Sequence, residues 1–485
     1  MPEPATIVWF RQDLRLADNP ALSAAADRGG PVIPVYVWAP DEEGDWAPGG
    51  AQRWWLHHSL KSLADSLESL GSRLILREGP TRDALDDLVT KTGADAVYWN
   101  RRYEPAVMER DKSIKSWLRN DRGVTANSFN SNLLFEPWQV QTQSGGPYKV
   151  YTPFWRMTQK MPEPDAPIAA PDKLTAPDSW PQSAKLDTLG LEPTRGWKDG
   201  LAAVWTPGEA EVRKRLDAFL DGPITDYQDE RNFPDREGTS RLSPHLHHGE
   251  IGPRQAYQAA RRYMTDGRRN LSKDDKKQVE TFIKEIYWRE FAYHVLYHYP
   301  DTPHEPLQEK FSKFPWEQDA DQLKRWQKGQ TGYPIVDAGM RQLYATGWMH
   351  NRVRMIVASF LVKDLLISWE EGAAWFWDTL VDADLASNTL GWQWAGGCGA
   401  DAAPYFRIFN PVLQGEKFDK DGGYVREWVP EIAELPNKWL HRPWEASESV
   451  LKQAGVVLGK TYPEPVVDHK QARESALSAL GAIKD

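Results

Sequence analysis

The first 130 residues alternate between two hydrophobic periods, and this alternation most restricts the folds open to the chain. Short β-branched and apolar runs at Thr6–Phe10, Val32–Trp38, 73–77 and 94–99 are bounded by turn residues, which is typical of buried strands. The helical patterns between them include 51–70 and 81–91. Strands that alternate with helices predict a parallel, doubly wound sheet. No G-x-G-x-x-G pattern follows the first strand, so a Rossmann dinucleotide site is not indicated there.

The composition changes after this region. Residues 162–193 are rich in Pro, Ala, Asp and Ser, which is typical of a linker that buries little surface. From about Glu209 to about Pro430 the apolar spacing is that of α-helices, and residues 469–483 predict one more short amphipathic helix. We therefore predict an α/β domain at 1–130, a linker at 131–208 and an all-helical domain at 209–485.

Charge and cysteine content limit the possible functions. The net charge of −10 argues against a general nucleic-acid binder unless basic residues are concentrated on one face. Cys398 is the only cysteine, which excludes disulfides within the chain and argues against cysteine metal clusters. No signal segment or membrane-length apolar stretch is present, so we expect a cytoplasmic protein away from membranes. No catalytic triad, P-loop or zinc spacing appears, and we predict no metal site.

The first candidate site is residues 238–244, which read Gly-Thr-Ser-Arg-Leu-Ser-Pro. Ser243 and Pro244 predict an N-cap and the first helical position. Hydroxyls and an arginine just before a helix start suit a diphosphate, because exposed backbone N–H groups there favour anions. An ordinary capped helix with a solvated arginine would show the same pattern.

The second candidate is a helix predicted at 281–299. Glu285, Trp288 and Arg289 stand at i, i+3 and i+4, so they share one face. A carboxylate, a flat ring and a cation on one face can bind and stack a nucleobase. The alternative is a surface Glu–Arg pair beside a core tryptophan.

The third candidate is a helical stripe of Trp348, Asn351 and Met355, with Arg354 beside it. An amide buried on such a stripe needs a partner, since an unsatisfied one costs roughly 1–3 kcal/mol. Asn351 can donate and accept, which suits a base edge or an adenine. A core helix with one satisfied asparagine is the alternative.

The fourth candidate begins at two acids, Asp382 and Asp384, with Asn388 and Trp392 following Asp384 at successive i+4 steps. Two acids this close suggest metal ligation, but no histidine lies nearby in the sequence to complete a site. Pairing with the arginines of the preceding stretch is the alternative.

These stretches together resemble the photolyase/cryptochrome flavoproteins over nearly the whole chain. The longest similar segments are 9–16 (Trp-Phe-Arg-Gln-Asp-Leu-Arg-Leu), 332–341 (Gly-Tyr-Pro-Ile-Val-Asp-Ala-Gly-Met-Arg) and 401–411 (Asp-Ala-Ala-Pro-Tyr-Phe-Arg-Ile-Phe-Asn-Pro). The resemblance implies a U-shaped FAD in the helical domain and a light-harvesting pigment at the N-terminal domain.

The resemblance also implies roles for individual residues. Those expected at the FAD phosphates and ribityl chain are Tyr227, Thr239, Ser240, Arg241, Leu242 and Ser243. Those expected around the adenine and isoalloxazine are Trp348, Asn351, Arg354, Asp382, Asp384 and Asn388, and Glu285 and Arg289 are further expected FAD contacts. Arg289 and Arg354 are the expected partners of the acids. Asn388 would lie by flavin N5, where plant cryptochromes carry an aspartate, and this favours repair.

The same resemblance implies a lesion type. The residues that match the pocket of enzymes acting on cyclobutane dimers are Glu285, Trp288, Asn351, Met355 and Trp394. The (6-4) photolyases have histidines at the positions of Asn351 and Met355. Candidates for DNA contacts are Trp288, Arg352, Trp394 and Arg407. Trp392, Trp369 and Trp316 match an electron relay from the surface to oxidised flavin, although core packing would explain their spacing equally well.

The implied function is light-driven repair of cyclobutane pyrimidine dimers in UV-damaged DNA by a deoxyribodipyrimidine photo-lyase. Excited reduced FAD would pass an electron to a flipped-out dimer. The alternative is a cryptochrome-type blue-light receptor without repair activity, against which Asn388 and the absence of a long C-terminal extension stand. We expect a monomer with no obligate protein partner.

The antenna is the least determined part of this prediction. Residues 52–58 (Gln-Arg-Trp-Trp-Leu-His-His) resemble the branch nearest plant cryptochromes, whose repair members use 5,10-methenyltetrahydrofolate. Residues 103–106 (Tyr-Glu-Pro-Ala) lack the asparagine–glutamate pair of some folate-binding photolyases. An 8-hydroxy-5-deazaflavin or an empty site is the alternative.

Overall fold

The computed structural model describes residues 3–193, 196–267, 269–402 and 406–483. These residues form two compact units. The first comprises the described residues of Met1–Thr225, Ser240–Pro300 and Val381–Leu385. The second comprises those of Asp226–Thr239, Asp301–Leu380 and Ala386–Asp485.

The first unit is built on a parallel sheet, as predicted. Its five described strands are β1 (Thr6–Phe10), β2 (Val32–Trp38), β3 (Ile75–Glu78), β4 (Ala96–Asn100) and β5 (Thr125–Phe129). The spatial order is β3-β2-β1-β4-β5, and every pair is parallel. The order reverses direction beside β1, which makes the sheet doubly wound. The prediction of a doubly wound α/β fold is confirmed.

Alternate side chains of the central strand β1 pack into two separate hydrophobic cores. Val8 and Phe10 join a cluster on one face of the sheet, whereas Ile7 and Trp9 join a second cluster on the other face. All four are at most 1% exposed. This two-sided burial explains why the strands read as near-continuous apolar runs, since helices cover both faces of a parallel sheet.

The α-helices of the described residues, in chain order, begin in the first unit. They are α1 (Pro20–Asp27), α2 (Gly50–Ser69), α3 (Thr81–Thr92), α4 (Pro105–Asn120), α5 (Tyr151–Thr158), α6 (Trp197–Val204), α7 (Glu209–Asp221), α8 (Tyr227–Glu230), α9 (Ser243–His247), α10 (Pro253–Thr265) and α11 (Lys273–His298). Of these, α8 belongs to the second unit.

The remaining helices follow in the second unit, apart from Leu385 at the start of α16. They are α12 (Ala320–Gln327), α13 (Pro334–Thr346), α14 (Asn351–Ser359), α15 (Trp369–Thr379), α16 (Leu385–Gly396), α17 (Pro411–Phe418), α18 (Gly423–Trp428), α19 (Asn437–Leu440), α20 (Glu448–Gln453) and α21 (His469–Ala482). A π-helical turn, Phe360–Asp364, continues α14. Short 3-10 turns lie at Pro40–Trp46, Pro137–Gln139, Leu186–Leu189, Pro223–Asp226, Glu309–Lys313, Pro430–Ile432 and Pro443–Glu445.

Helix α11 begins at Lys273, earlier than the predicted residue 281. Ser272 caps it by accepting from the Asp275 backbone N–H, and the Asp275 side chain accepts from Ser272 in return. This capping box starts the helix within a polar stretch that has no apolar period. The hydrophobic pattern therefore detected only the buried part of α11.

A buried carboxylate organises the motif at 332–341 in the second unit. Asp337 accepts hydrogen bonds from the Thr331 backbone N–H (2.7 Å), the Thr331 hydroxyl (2.6 Å), the Gly332 backbone N–H (3.0 Å) and the Tyr462 hydroxyl (2.7 Å). The motif therefore joins the start of α13 to the segment before α21. None of the described helices combines the length and apolar character that crossing a membrane requires.

Gly249 is a glycine that the first unit requires. Its φ is +70°, and an added Cβ would lie 2.1 Å from the Gln12 carbonyl oxygen. Gly123 has a similar φ of +64° but open space around it. A comparison of alanine substitutions at the two positions therefore separates the cost of backbone strain from the cost of steric overlap.

We predict that Gly249→Ala lowers the free energy of unfolding more than Gly123→Ala does. The left-handed backbone alone costs about 1–3 kcal/mol for alanine, and overpacking at Gly249 adds roughly 1–3 kcal/mol. Urea unfolding followed by circular dichroism measures both variants. Equal midpoints for the two would contradict the clash.

Candidate functional site

The segment proposed for phosphate binding starts a helix, but one residue differently from the prediction. Helix α9 begins at Ser243, so the N-cap position is Leu242, and no side chain caps it. Arg241, just before it, has a left-handed backbone with φ of 48°. The predicted N-cap at Ser243 is therefore wrong, because that residue already has helical geometry. Ser240 and Arg241 are half-buried, and Ser243 is exposed.

Helix α11 carries Glu285, Trp288 and Arg289 on one face, as their spacing predicts, and all three are half-buried. The Trp288 indole stacks on the Tyr151 ring of α5, with centroids 3.7 Å apart and planes 8° apart. The Tyr151 hydroxyl donates to the Lys284 carbonyl at 2.8 Å. Trp288 is thus a fixed, partly open aromatic wall. No pattern in the sequence indicates Tyr151, because it lies far from Trp288 along the chain.

Arg289 belongs to a buried polar cluster of the first unit. Its guanidinium donates to the Asn132 carbonyl (2.5 Å) and lies 4.7 Å from the centroid of the Tyr293 ring. The Tyr293 hydroxyl in turn donates to Asp384. His247 Nδ1 lies 3.9 Å from the same carboxylate.

Asp384 stays ionised in this cluster. Burial alone would raise its pKa, but the neighbouring His247, the charge of Arg289 and the hydrogen bond from Tyr293 outweigh burial and hold the pKa well below its usual range. Of the two alternatives for this acid, the structure favours partners within the protein over metal ligation. Asp382 is also buried, at 7% exposure.

The predicted stripe at 348–355 is only partly helical. Gly347 ends α13 with φ of 67°, and His350 caps α14 by accepting from the Arg352 backbone N–H. Trp348 lies between the two helices and is buried, whereas Asn351 is the first residue of α14 and is exposed. The predicted buried amide on one continuous stripe is therefore wrong. Asn351 and Met355 still share a side of α14.

Three arginines of the second unit lie close enough to repel one another. Arg352 donates to the Asn232 side-chain oxygen (2.6 Å), and its guanidinium lies 4.4 Å from the Phe418 ring centroid. Burial lowers the pKa of Arg352, and the charges of Arg231 and Arg407 lower it further. Like charges held together in this way mark a surface that favours an anion.

The tryptophans of the predicted relay differ in their solvent exposure. Trp392 and Trp369 are each 2% exposed, and Trp316 is half-buried against Phe314 at a centroid distance of 4.3 Å. Trp392 also has a neighbour that sequence reasoning missed, Trp326, at 6.1 Å.

Further candidate site residues lie in the second unit. The Asn388 amide donates to the Ala373 carbonyl at 3.1 Å, which fixes its orientation. Trp394 lies 6.4 Å from Phe409, between ring centroids, and lines a small cleft with Arg407.

The remaining FAD candidates of the second unit differ in exposure and contacts. Tyr227 is buried at the start of α8, and Thr239 is half-buried. Arg354 donates from Nε to the Met349 carbonyl at 2.8 Å. Residues 403–405 of the 401–411 motif lie outside the described residues.

A separate cleft lies in the first unit at the carboxyl ends of β1 and β2. Its wall includes Trp9, Trp38, Gln52, His247, Arg11 and Arg110. Arg102 also lines it and pairs with Glu43 (2.6 Å) and Glu104 (3.0 Å). Crevices at this edge of an open parallel sheet, where the strand order reverses, are the usual ligand sites of doubly wound folds.

Comparison with known proteins decides the family. Residues 6–172 match the model of DNA photolyase, and residues 282–482 match the FAD binding domain of DNA photolyase. The chain belongs to the DNA photolyase family. The family prediction from sequence and the prediction of FAD are thereby confirmed.

Several relatives align with this family member over almost its whole length. A deoxyribodipyrimidine photo-lyase of Agrobacterium fabrum is 54% identical over 99% of this chain and 98% of its own length. Cryptochrome-1 of Arabidopsis thaliana is 42% identical over 99% of this chain and 70% of its own. The crystal structure of a bacterial class III photolyase from Agrobacterium tumefaciens superposes with a TM-score of 0.95, at 53% identity, covering 100% of this chain and 98% of that one.

The donor set of this photolyase-family chain suits FAD. Hydroxyls and a guanidinium at 239–243 are donors for a diphosphate, and the buried Asp382 and Asp384 are acceptors for N–H and hydroxyl groups. The fixed amide of Asn388 adds a neutral polar group. Tyr227 and residues 239–243 lie outside the matched 282–482 stretch, whereas the other candidate FAD residues lie within it.

Glu290 is a second buried carboxyl group beside Arg289, and its protonation state is opposite to that of Asp384. It accepts from the backbone N–H groups of Leu134 (2.8 Å) and Phe135 (3.3 Å). Burial nevertheless raises its pKa to about 8, against the lowering effect of Arg289 and these two bonds. Glu290 is therefore neutral near pH 7 in the folded protein.

We predict that Glu290→Gln flattens the dependence of stability on pH. Between about pH 4.3, where an unfolded glutamate ionises, and about pH 8, the folded state binds the extra proton. Stability from this group is therefore present below about pH 4.3 and is lost as the pH rises towards 8. Urea midpoints measured across this range test the prediction, with the exposed Glu280→Gln of the same helix as control. A wild-type slope in Glu290→Gln would contradict it.

Proposed function

We propose that this protein repairs cyclobutane pyrimidine dimers in DNA with the energy of blue light, as a deoxyribodipyrimidine photo-lyase. The observation that carries the proposal is the face of α11, where Trp288 is held flat by Tyr151 beside the half-buried Glu285. A rigid aromatic wall next to a carboxylate suits a base that has left the stack. The family and its photo-lyase relatives support the same activity.

Three further residues, Trp394, Met355 and Asn351, match positions of the dimer pocket in the family. Trp394 provides a second apolar wall, and Met355 provides an apolar contact. Asn351 is exposed, so its amide is accessible to the polar edge of a base. Neither position carries the histidine of (6-4) photolyases, which favours the cyclobutane dimer as substrate.

We assign FAD diphosphate and ribityl contacts to Tyr227, Thr239, Ser240, Arg241, Leu242 and Ser243, and contacts to the adenine and isoalloxazine to Trp348, Asn351, Arg354, Asp382, Asp384 and Asn388. Glu285 and Arg289 are further proposed FAD contacts. When bound, FAD supplies the electron that opens the cyclobutane ring. The chain's residues orient the lesion, exclude water and balance charge. Trp392, Trp369 and Trp316 form the proposed relay, and Trp326 is a second indole close to Trp392.

The antenna proposal concerns the cleft of the first unit. Its indoles suit a flat chromophore, while its three arginines are each paired with a carboxylate of the chain. Our proposal is 5,10-methenyltetrahydrofolate, with 8-hydroxy-5-deazaflavin or no pigment as the alternative. An archaeal photolyase from Sulfolobus tokodaii, 29% identical with a TM-score of 0.82, was crystallised with two FAD molecules, which adds a flavin to the candidates. Mass spectrometry of the released chromophore distinguishes them.

The competing function is that of a cryptochrome-type receptor, because plant cryptochromes are also relatives. Asn388, where plant cryptochromes carry an aspartate, favours repair. The division into antenna domain (1–130), linker (131–208) and catalytic domain (209–485), the cytoplasmic location and the monomeric state remain predictions.

We predict that Glu285→Ala lowers dimer repair at least about tenfold while FAD stays bound. A hydrogen bond to a charged group contributes about 1.5–3 kcal/mol, and about 1.4 kcal/mol is a factor of ten in rate. The assay illuminates reduced protein with a dimer-containing oligonucleotide and follows the recovery of pyrimidine absorbance. Glu280→Ala, exposed on the same helix, is the matched control. Undiminished repair in Glu285→Ala would refute its role, and no repair by the wild type would refute the function.

We predict that Arg352→Gln weakens binding of damaged and undamaged DNA alike. Loss of one phosphate contact reduces the slope of log Kd against log salt by about one. Fluorescence anisotropy in the dark at several salt concentrations measures this slope. Arg473→Gln, exposed on α21, removes the same charge elsewhere and should leave the slope unchanged. An unchanged slope in Arg352→Gln would place this arginine outside the DNA interface.

A further inference from the structure

A lysine lies beneath the chain segment that carries Arg407. Lys363 is only 3% exposed and belongs to the π-helical turn that continues α14. Its Nζ donates to the Arg407 carbonyl at 2.6 Å and lies 4.5 Å from the centroid of the Phe406 ring. Lysines are seldom buried to this degree unless they are paired, and π-helical turns are frequent at functional sites.

A second bond fixes the same segment one turn earlier. The Ser359 hydroxyl accepts from the Phe409 backbone N–H at 3.2 Å. Lys363 and Ser359 therefore anchor the backbone on both sides of residue 408. This anchoring leaves the Arg407 side chain exposed, with its guanidinium 5.1 Å from the centroid of the Phe409 ring.

The anchored segment also supports the proposed dimer wall. Phe409 lies 6.4 Å from Trp394, between ring centroids. The cleft at this place is lined by Ser359, Lys363, Trp394, Ala395, Gly397, Arg407 and Phe409. One ammonium group thus lies next to both the aromatic wall and the exposed arginine.

We propose that Lys363 is a positioning residue for DNA binding, which holds Arg407 and the Trp394 wall in the arrangement that receives the damaged strand. The inference rests on the proposed repair function. It assigns no chemistry to Lys363 itself, because the residue acts through the backbone of Arg407.

The charges around Lys363 make this role sensitive to pH. Burial, the largest cause, and the charge of Arg407 together lower the pKa of Lys363 to about 8, while Asp364 and Cys398 oppose the change. Asp364 itself is paired with His469 of α21 (2.5 Å). The charge of Glu370 helps to raise the pKa of Cys398. A DNA phosphate beside Arg407 adds negative charge, which favours the ammonium form. Binding near pH 8 should therefore take up a proton, and affinity should fall as the pH rises above 8.

The test uses the FAD-containing protein and a dimer-containing oligonucleotide in the dark. Dissociation constants are measured from about pH 7 to about pH 9.5 at fixed salt, for wild type, Lys363→Met, Lys363→Arg and the exposed control Lys452→Met. A change of one pH unit above the pKa gives up to a tenfold loss for a fully linked proton. We expect wild type and Lys452→Met to lose about tenfold in affinity, and Lys363→Met to bind weakly with a flat profile. Lys363→Arg should keep its affinity at high pH.

A measurement on the wild type alone guards against variants that fail to fold. Titration calorimetry near pH 8 in two buffers of different ionisation enthalpy reports proton uptake on binding. Flavin absorbance and thermal midpoints show which variants are intact. Absence of proton uptake in the wild type, or a Lys363→Met variant with wild-type affinity or a wild-type pH profile, overturns the role of Lys363. Failure of the wild type to prefer dimer-containing DNA would instead overturn the repair function.

Discussion

The ionised carboxylate of Asp384 in the interior of the first unit is the constraint on which the candidate site depends. A buried carboxylate is tolerated only with charge and hydrogen-bond partners, and here Tyr293, His247 and Arg289 supply them. Arg289 and Tyr293 stand one turn apart on α11, on the same stripe as Glu285. Satisfying Asp384 therefore sets the rotation of α11 about its axis, and with it the side on which Glu285 lies.

The neighbouring Glu290 shows how position alone changes the pKa of a carboxyl group. It shares Arg289 as a neighbour with Asp384, yet its pKa is raised rather than lowered. Two backbone N–H groups and Arg289, whose guanidinium lies 3.9 Å from the Glu290 carboxyl group, do not offset the burial of Glu290, whereas the hydrogen bond from Tyr293 and the nearby Arg289 and His247 do so for Asp384. Two acids around one arginine thus hold opposite protonation states near neutral pH, and no pattern in the sequence distinguishes them.

A net charge of −10 is compatible with DNA binding because the relevant positive charge is local. Arg231, Arg352 and Arg407 repel one another strongly enough to perturb Arg352, and aromatic rings pack against the guanidinium groups of Arg352 and Arg407. Such a cluster keeps its attraction for phosphate at short range, since salt screens the remote acidic surface beyond about 10 Å. Lys363 adds a buried positive charge next to Arg407, and its ammonium group holds the backbone of Arg407 through a hydrogen bond.

The sequence by itself determined the elements with strong periodicity. Two-sided burial of the strands, the helical face of Glu285, Trp288 and Arg289, and the family motifs are all local patterns, and each could be predicted. The weaker local patterns were missed: β5 is a partly exposed strand of mostly polar residues, and the first turns of α11 have no apolar period. Tertiary structure alone decided that Tyr151 stacks on Trp288, that Trp348 precedes α14 and that Lys363 supports Arg407. These contacts join residues remote in the chain or depend on where a helix is capped, and such relations arise only when each unit folds.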